Sequence, residues 1–238
     1  LSQGDFSHKT IAVISPERGD GRTFVAANLA VAFSQTGLRT LLLDGDLRNG
    51  RIHQLFGLRN TSGLSALLSG RAFDSSVNQV QGLRDLSVIS MGGEAPNPGD
   101  LLARETLPAL LHSFANTFDV VIIDTPATEV APDAKLIASH AKGCVLVARK
   151  DVTRLDGLQR LSRDVRELGA TIIGTVLLVF GLVALFVGAC GPLVGDEVQP
   201  MEWRLDPAAG APGPEATELH ILAMEVECAS GASPVGRT

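Results

Sequence analysis

The chain has 238 residues, enough for one α/β domain with an appendage. Hydrophobic residues make up 45% and aromatic residues only 4%, so aliphatic side chains must fill the core. The net charge of −6 is uneven: residues 1–195 hold 18 basic and 18 acidic side chains, and residues 196–238 hold 2 and 8. The front part therefore has no excess charge for nucleic acid, and the tail would repel it.

Short apolar runs alternate with longer helical patterns. Expected strands are Thr10–Ser15, Arg39–Leu43, Leu86–Ser90, Val120–Ile123 and Cys144–Ala148, with Thr171–Leu177 as a further candidate. Most are continuously apolar, as parallel strands covered on both faces should be. Helices are expected over Thr23–Thr36, which stops at Gly37, then over Gly63–Leu68, Thr106–Asn116, Pro132–Ser139 and Arg154–Leu168. The alternation predicts βαβ units in a doubly wound, mainly parallel α/β sheet. No residue from Leu168 to Gly195 is charged, and LVFGLVALFVGACGPLVG is long enough to help span a bilayer. It reads as a membrane helix, a buried strand with an apolar helix, or a foreign end. The expected units are therefore a domain over 1–178, an apolar segment over 179–195, and an acidic Pro/Gly-rich, weakly ordered tail over 196–238. Cys144, Cys190 and Cys228 fit no metal or redox spacing and read as reduced thiols. The chain opens on Leu1 and reads as a trimmed piece.

Between the first strand and the first helix lies SPERGDGRT. Gly19 and Gly21 suit a loop whose successive backbone N–H groups face phosphate oxygens, with the positive end of the following helix behind them. Thr23 stands where such loops place a Mg²⁺-binding hydroxyl. The strict pattern G-x-x-x-x-G-K-[ST] is broken twice, by Pro16 and by Arg22. LLLDGDLR sets Asp44 and Asp46 at the carboxyl end of the second strand, and VVIIDTPA sets Asp124 at the end of another. Acids there need a cation or solvent, and carboxylate oxygens suit Mg²⁺. Ligands of open α/β sheets bind at this edge.

These three boxes, in this order and spacing, resemble the Walker A, A′ and B boxes of the bacterial tyrosine kinase family, within the MinD/ParA-related P-loop superfamily. RNGRIHQLFGL, SGLSALLSG and APNPGDLL narrow the resemblance to the exopolysaccharide chain-length-determinant kinase branch. It covers roughly Thr10 to Leu177. The resemblance implies ATP and Mg²⁺ as cofactors and a nucleotide cradle over Gly19, Asp20, Gly21, Arg22, Thr23 and Phe24. It implies Thr23, Asp44, Asp46 and Asp124 around the metal, and Asp44, Asp46 and Arg22 as the catalytic group, with Arg22 reaching the outer phosphate oxygens. Arg48 would lie near the phosphates or an acceptor peptide; read alone, it suits a surface ion pair. His53 reads as local packing and Asp20 as a solvent-facing loop residue.

The implied activity is phosphoryl transfer to a tyrosine of another protein, in control of exopolysaccharide polymerisation and export. The implied partner is a membrane-embedded polysaccharide chain-length (co-polymerase) protein, with the chain at the cytoplasmic face of the bacterial plasma membrane. No tyrosine occurs in these residues, so the tyrosine cluster that family kinases phosphorylate in their own tails has no counterpart among them. A homo-oligomer is also open, although the oligomerisation helix that usually precedes the first strand does not fit in the nine residues before Thr10. An Asn-containing loop usual after the last strand is replaced by LVFGLVALF. Two alternatives stand beside the kinase: a non-catalytic nucleotide-dependent scaffold, and a MinD/ParA-type positioning ATPase.

Overall fold

In the computed structural model, residues 9–71, 76–93, 95–179 and 182–186 are described. In chain order the elements are β1 (Thr10–Ile14), α1 (Arg22–Gln35), β2 (Thr40–Asp44), α2 (Ile52–Leu55), α3 (Leu64–Leu68), β3 (Asn78–Gln79), β4 (Leu86–Ile89), α4 (Pro98–Leu102), α5 (Thr106–Thr117), β5 (Val120–Asp124), α6 (Asp133–Ala141), β6 (Gly143–Arg149), α7 (Leu155–Glu167), β7 (Thr171–Val179) and β8 (Leu182–Phe186). They build one sheet in the order β3-β4-β2-β5-β1-β6-β7-β8. The interior strands pair in parallel, while β3 and β8 run antiparallel to β4 and β7 at the two edges. The expected doubly wound α/β architecture is thus observed, with strand bounds moved by a residue or two.

The pleat sends alternate residues to opposite faces. Ala12 and Ile14 of β1 enter a core layer with α3, α4, α5, α6 and α7, while Ile11 and Val13 enter a layer with α1 and Ile52 of α2. Burying both faces explains why β1, β2 and β5 are buried at every position. In α1 the residues turned to the sheet are small: Ala26, Ala27 and Ala30 are buried beside Val25. They let the helix axis lie close to the strands and bring its first turn to the sheet edge. Cys144 is a buried core residue whose thiol is pushed up to about 12 by desolvation, so it is inert.

The apolar segment, read as a membrane helix, a buried strand with an apolar helix, or a foreign end, begins as strand. Val179 closes β7, and Leu182–Phe186 pairs back on it with Val179 opposite Leu182. Gly181 splits the run into two apolar halves, and such a pattern suits a hairpin as readily as a helix. Among the described residues no helix is long and apolar enough to cross a membrane. The chain divides into units at residues 1–189 and 190–238. The expected tail over 196–238 and the remainder of the apolar segment lie outside the described residues.

One glycine joins fold to site. The Gly45 N–H donates to the Asp124 carbonyl at 2.9 Å. A Cβ on Gly45 would lie 2.6 Å from that oxygen and 3.1 Å from side-chain atoms of Ile123 and Ile137. The obstacle is backbone and a packed core, so neither yields cheaply. Gly45→Ala is expected to cost about 1–3 kcal/mol, the usual range for overpacking; urea unfolding of the variant against wild type measures it.

Candidate nucleotide site at the carboxyl edge

β1 ends at Ile14 and the chain turns through residues 15–21 into α1. Gly19 (φ 81°) and Gly21 (φ 90°) adopt the left-handed conformation. At Gly21 a side chain meets a second obstacle, since a Cβ would lie within 2.3 Å of Leu178 Cδ1. Among the described hydrogen bonds, none is donated by the backbone N–H of Gly19, Asp20, Gly21, Arg22, Thr23 or Phe24. A run of free donors at a helix N-terminus is what an anion of several oxygens requires.

The acids meet this loop. Asp44 and Asp124 are cross-strand partners at the ends of β2 and β5. Both are buried, at 0% and 1% exposure. Asp44 Oδ2 accepts the Ile52 N–H at 3.1 Å, whereas its buried Oδ1 has no partner. Desolvation, then the neighbouring charge of Asp124, pushes the Asp44 carboxyl well above the ordinary range. Asp124 is raised to about 6 by desolvation, restrained by the Thr23 hydroxyl and the charge of Arg22. Asp46 is half-buried, and its Oδ1 accepts the N–H groups of Arg48 (3.1 Å) and Asn49 (2.9 Å), fixing the turn after β2. Among the described residues no three His, Cys, Asp or Glu side chains form a metal cage. The donors fit a hard cation gripped from one side by a hydroxyl and carboxylates, with other oxygens completing its shell.

Arg22 is turned inward. Its Nη1 donates to Ser15 Oγ and, at 2.7 Å, to the Glu17 carbonyl, and its Nε donates to the Thr125 carbonyl at 2.9 Å. The guanidinium therefore ties the loop to the segment after β5 instead of extending outward. Burial lowers its pKa, and the charges of Asp124, Asp20, Asp46 and Glu129 oppose that fall.

Asp20 does not face solvent: it is fully buried, and its carboxylate accepts the Glu17 N–H (2.8 Å) and the Thr153 hydroxyl (2.6 Å). A short acid inside a tight turn finds local N–H donors, and that outweighs its preference for water. Arg48 forms an ion pair with buried Asp133 through Nε at 2.9 Å. His53 is half-buried, and its Nδ1 has no partner. Phe24 is 40% exposed beside the loop, contributing backbone rather than packing. The sequence reading missed Ser15, Thr125 and Thr153. Thr125 follows the last acid directly and bonds back to the Val13 carbonyl at 2.7 Å, so its position was a usable signal. Ser15 and Thr153 belong to no spaced motif.

A parallel sheet carrying a glycine-bent loop, a free helix N-terminus and strand-end acids at one edge defines the P-loop nucleotide-binding class. The ParA family, described as NUBPL iron-transfer P-loop NTPase, matches residues 7–179. The putative tyrosine-protein kinase CapB of Staphylococcus aureus is 30% identical over 178 residues, 74% of this chain and 78% of CapB. Tyrosine-protein kinase wzc of Salmonella typhimurium is 35% identical over 157 residues, 66% of this chain but 22% of wzc, so the chain spans about a fifth of that longer relative. The kinase domain of Escherichia coli tyrosine kinase ETK superposes with a TM-score of 0.70 at 25% identity, covering 84% of this chain and 74% of that domain. The chain belongs to the ParA family of P-loop NTPases, in its bacterial tyrosine-kinase group.

The raised carboxyl of Asp124 has a thermodynamic sign. Its native pKa of about 6 exceeds the ordinary 3.8, so the native state holds the proton more tightly than the unfolded chain. Stability then falls as pH rises from about 4 to about 6. Asp124→Asn removes this slope. The difference between variant and wild type should move in favour of the variant by roughly 2 kcal/mol from pH 4 to pH 7, as read by urea unfolding without nucleotide or metal.

Proposed function

We propose that the loop and acids bind ATP with Mg²⁺ and transfer the γ-phosphoryl group to a tyrosine hydroxyl on a polypeptide outside these residues. The observation that carries this is the buried, unpartnered Oδ1 of Asp44, in register with Asp124 beside a loop of free N–H donors. In this reading the backbone from Gly19 to Phe24 holds the phosphates. Thr23, Asp44, Asp46 and Asp124 would hold the metal, through oxygen donors directly or by way of water. Bound Mg²⁺ would offset the charge that gathers on the phosphoryl oxygens. Asp44 accepts the tyrosine proton as the phenolic oxygen bonds to the γ-phosphorus. The bond from that phosphorus to the bridging oxygen breaks, and ADP leaves. Positioning and electrostatics supply most of such catalysis, so the fixed edge matters more than any single group.

The likeness to CapB, wzc and ETK supports tyrosine as the acceptor. These 238 residues contain none, so the acceptor is not among them. The biological role that goes with this branch is control of exopolysaccharide polymerisation and export. Its activating partner would be a membrane-embedded chain-length protein, which would hold the domain at the cytoplasmic face of the plasma membrane and serve a homo-oligomer. A second reading, a nucleotide-dependent scaffold without turnover, is favoured by one observation: Arg22 is engaged with Ser15, Glu17 and Thr125.

Calorimetric titration with ATP separates these readings when paired with radiolabel transfer to a tyrosine peptide. Wild type should bind ATP more tightly with Mg²⁺ than without, and Asp44→Ala/Asp46→Ala should lose that difference. Asp44→Ala alone should transfer label at least about 10²-fold more slowly, the usual contribution of a general base. Binding without any transfer in wild type selects the scaffold. Equal affinity with and without Mg²⁺ in both proteins rejects the site.

A further inference from the structure

We propose that Asp20 is a positioning residue, held by Thr153, that shapes the loop for phosphate before nucleotide arrives; this rests on the nucleotide-binding reading above. Asp20 is a fully buried acid inside a loop that is to receive an anion. A negative charge there opposes the ligand, so its place must come from what its two oxygens do. Oδ2 accepts the Glu17 N–H at 2.8 Å and bends the loop back on itself. Oδ1 accepts the Thr153 hydroxyl at 2.6 Å. That hydroxyl accepts in turn the Arg149 N–H at 2.7 Å, at the end of β6.

Two further bonds join the same partners. Arg149 Nη1 donates to the Gly19 carbonyl at 3.3 Å, and Arg154 Nε donates to Glu17 Oε1 at 3.0 Å. Residues 17, 19 and 20 of the loop are thereby fastened to residues 149–154 of the β6–α7 turn. Within that turn Asp151 has a φ of 62°, a left-handed conformation that aspartate adopts more readily than most non-glycine residues and that suits a tight turn. β6 pairs with β1, the strand from which the loop departs, so the fastening closes a short circuit through the sheet. The Asp20 carboxylate takes the Glu17 N–H, and the donors from Gly19 to Phe24 are left for phosphate. Asp20 also supports the charge of Arg22, the loop's own cation. Thr153 is the residue through which the turn sets nucleotide affinity.

The test uses the full chain with Thr153→Val, which removes the hydroxyl, and Thr153→Ser, which keeps it. Affinities for Mg·ADP and Mg·ATP are measured by calorimetry, and amide exchange of residues 15–23 is followed without nucleotide. Thr153→Val should weaken both nucleotides by about tenfold or more, the scale of a lost hydrogen bond to a charged group. It should also speed exchange at residues 17–21, while Thr153→Ser matches wild type in both. A purely structural role would lower the melting temperature and leave the affinity of the folded protein unchanged, and that result overturns the proposal. Wild-type affinity in Thr153→Val, or equal losses in both variants, overturns it as well. If wild type binds neither nucleotide, the functional reading above fails by itself and exchange decides: faster exchange in Thr153→Val alone upholds the latch, and unchanged exchange rejects it.

Discussion

Two carboxylates facing each other across adjacent strands set the terms for this molecule. Asp44 and Asp124 end β2 and β5 in register, and neither has appreciable contact with water. Burial raises the proton affinity of both, and the charge of Asp124 raises that of Asp44 further. The surrounding residues supply partial relief only: an Ile52 N–H for one, a Thr23 hydroxyl and the Thr125 N–H for the other. One oxygen is left without a partner. A fold retains such an arrangement at a cost to its own stability, which marks the pair as a functional-site candidate. The glycine between the two acids of the second box follows from the same constraint, because the Asp124 backbone leaves no room for a side chain at residue 45.

The loop opposite is shaped by what holds it. Its first half bonds to the segment after β5, with the N–H groups of Thr128 and Glu129 donating to the Ser15 and Pro16 carbonyls at 3.2 and 3.0 Å. Its middle is fastened to the β6–α7 turn. Arg22 crosses between the first half and the post-β5 segment, reaching acceptors on both. A planar guanidinium with donors on separate nitrogens can do this, whereas an ammonium offers a single point of charge. The arginine at a lysine position therefore has a structural consequence that its charge alone would not convey. It makes the cation of the loop a part of the loop's own framework.

Most of the architecture was legible in the sequence because continuous apolar runs and helical spacing are local signals, and parallel pairing leaves no other way to bury such runs. The three boxes were legible for the same reason, since each sits where a strand ends. What was not legible depends on contacts distant in sequence. Asp20 looked solvent-facing because its partner Thr153 lies 133 residues away. The inward path of Arg22 depends on Thr125, 103 residues on. The short elements α2 (IHQL) and α4 (PGDLL) carry too few turns to show a period. The LVFGLVALF run fitted helix and strand alike, and only the pairing of β8 on β7 distinguishes them over Leu182–Phe186.

That pairing bears on the site as well as on the fold. β7 runs past the end of β6, and its Leu178 carbonyl accepts the Lys150 N–H at 2.8 Å. Among the described residues, Leu178 is the one whose side chain would meet a Cβ at Gly21, so an aliphatic group abuts the loop on this side. A nucleotide bound as proposed would meet shape and apolar contact on that flank, which discriminate weakly between similar ligands. Phosphate contacts would carry most of the affinity in consequence. In that reading the bonds that fasten the loop through Asp20, Thr153 and Arg22 would bear directly on affinity.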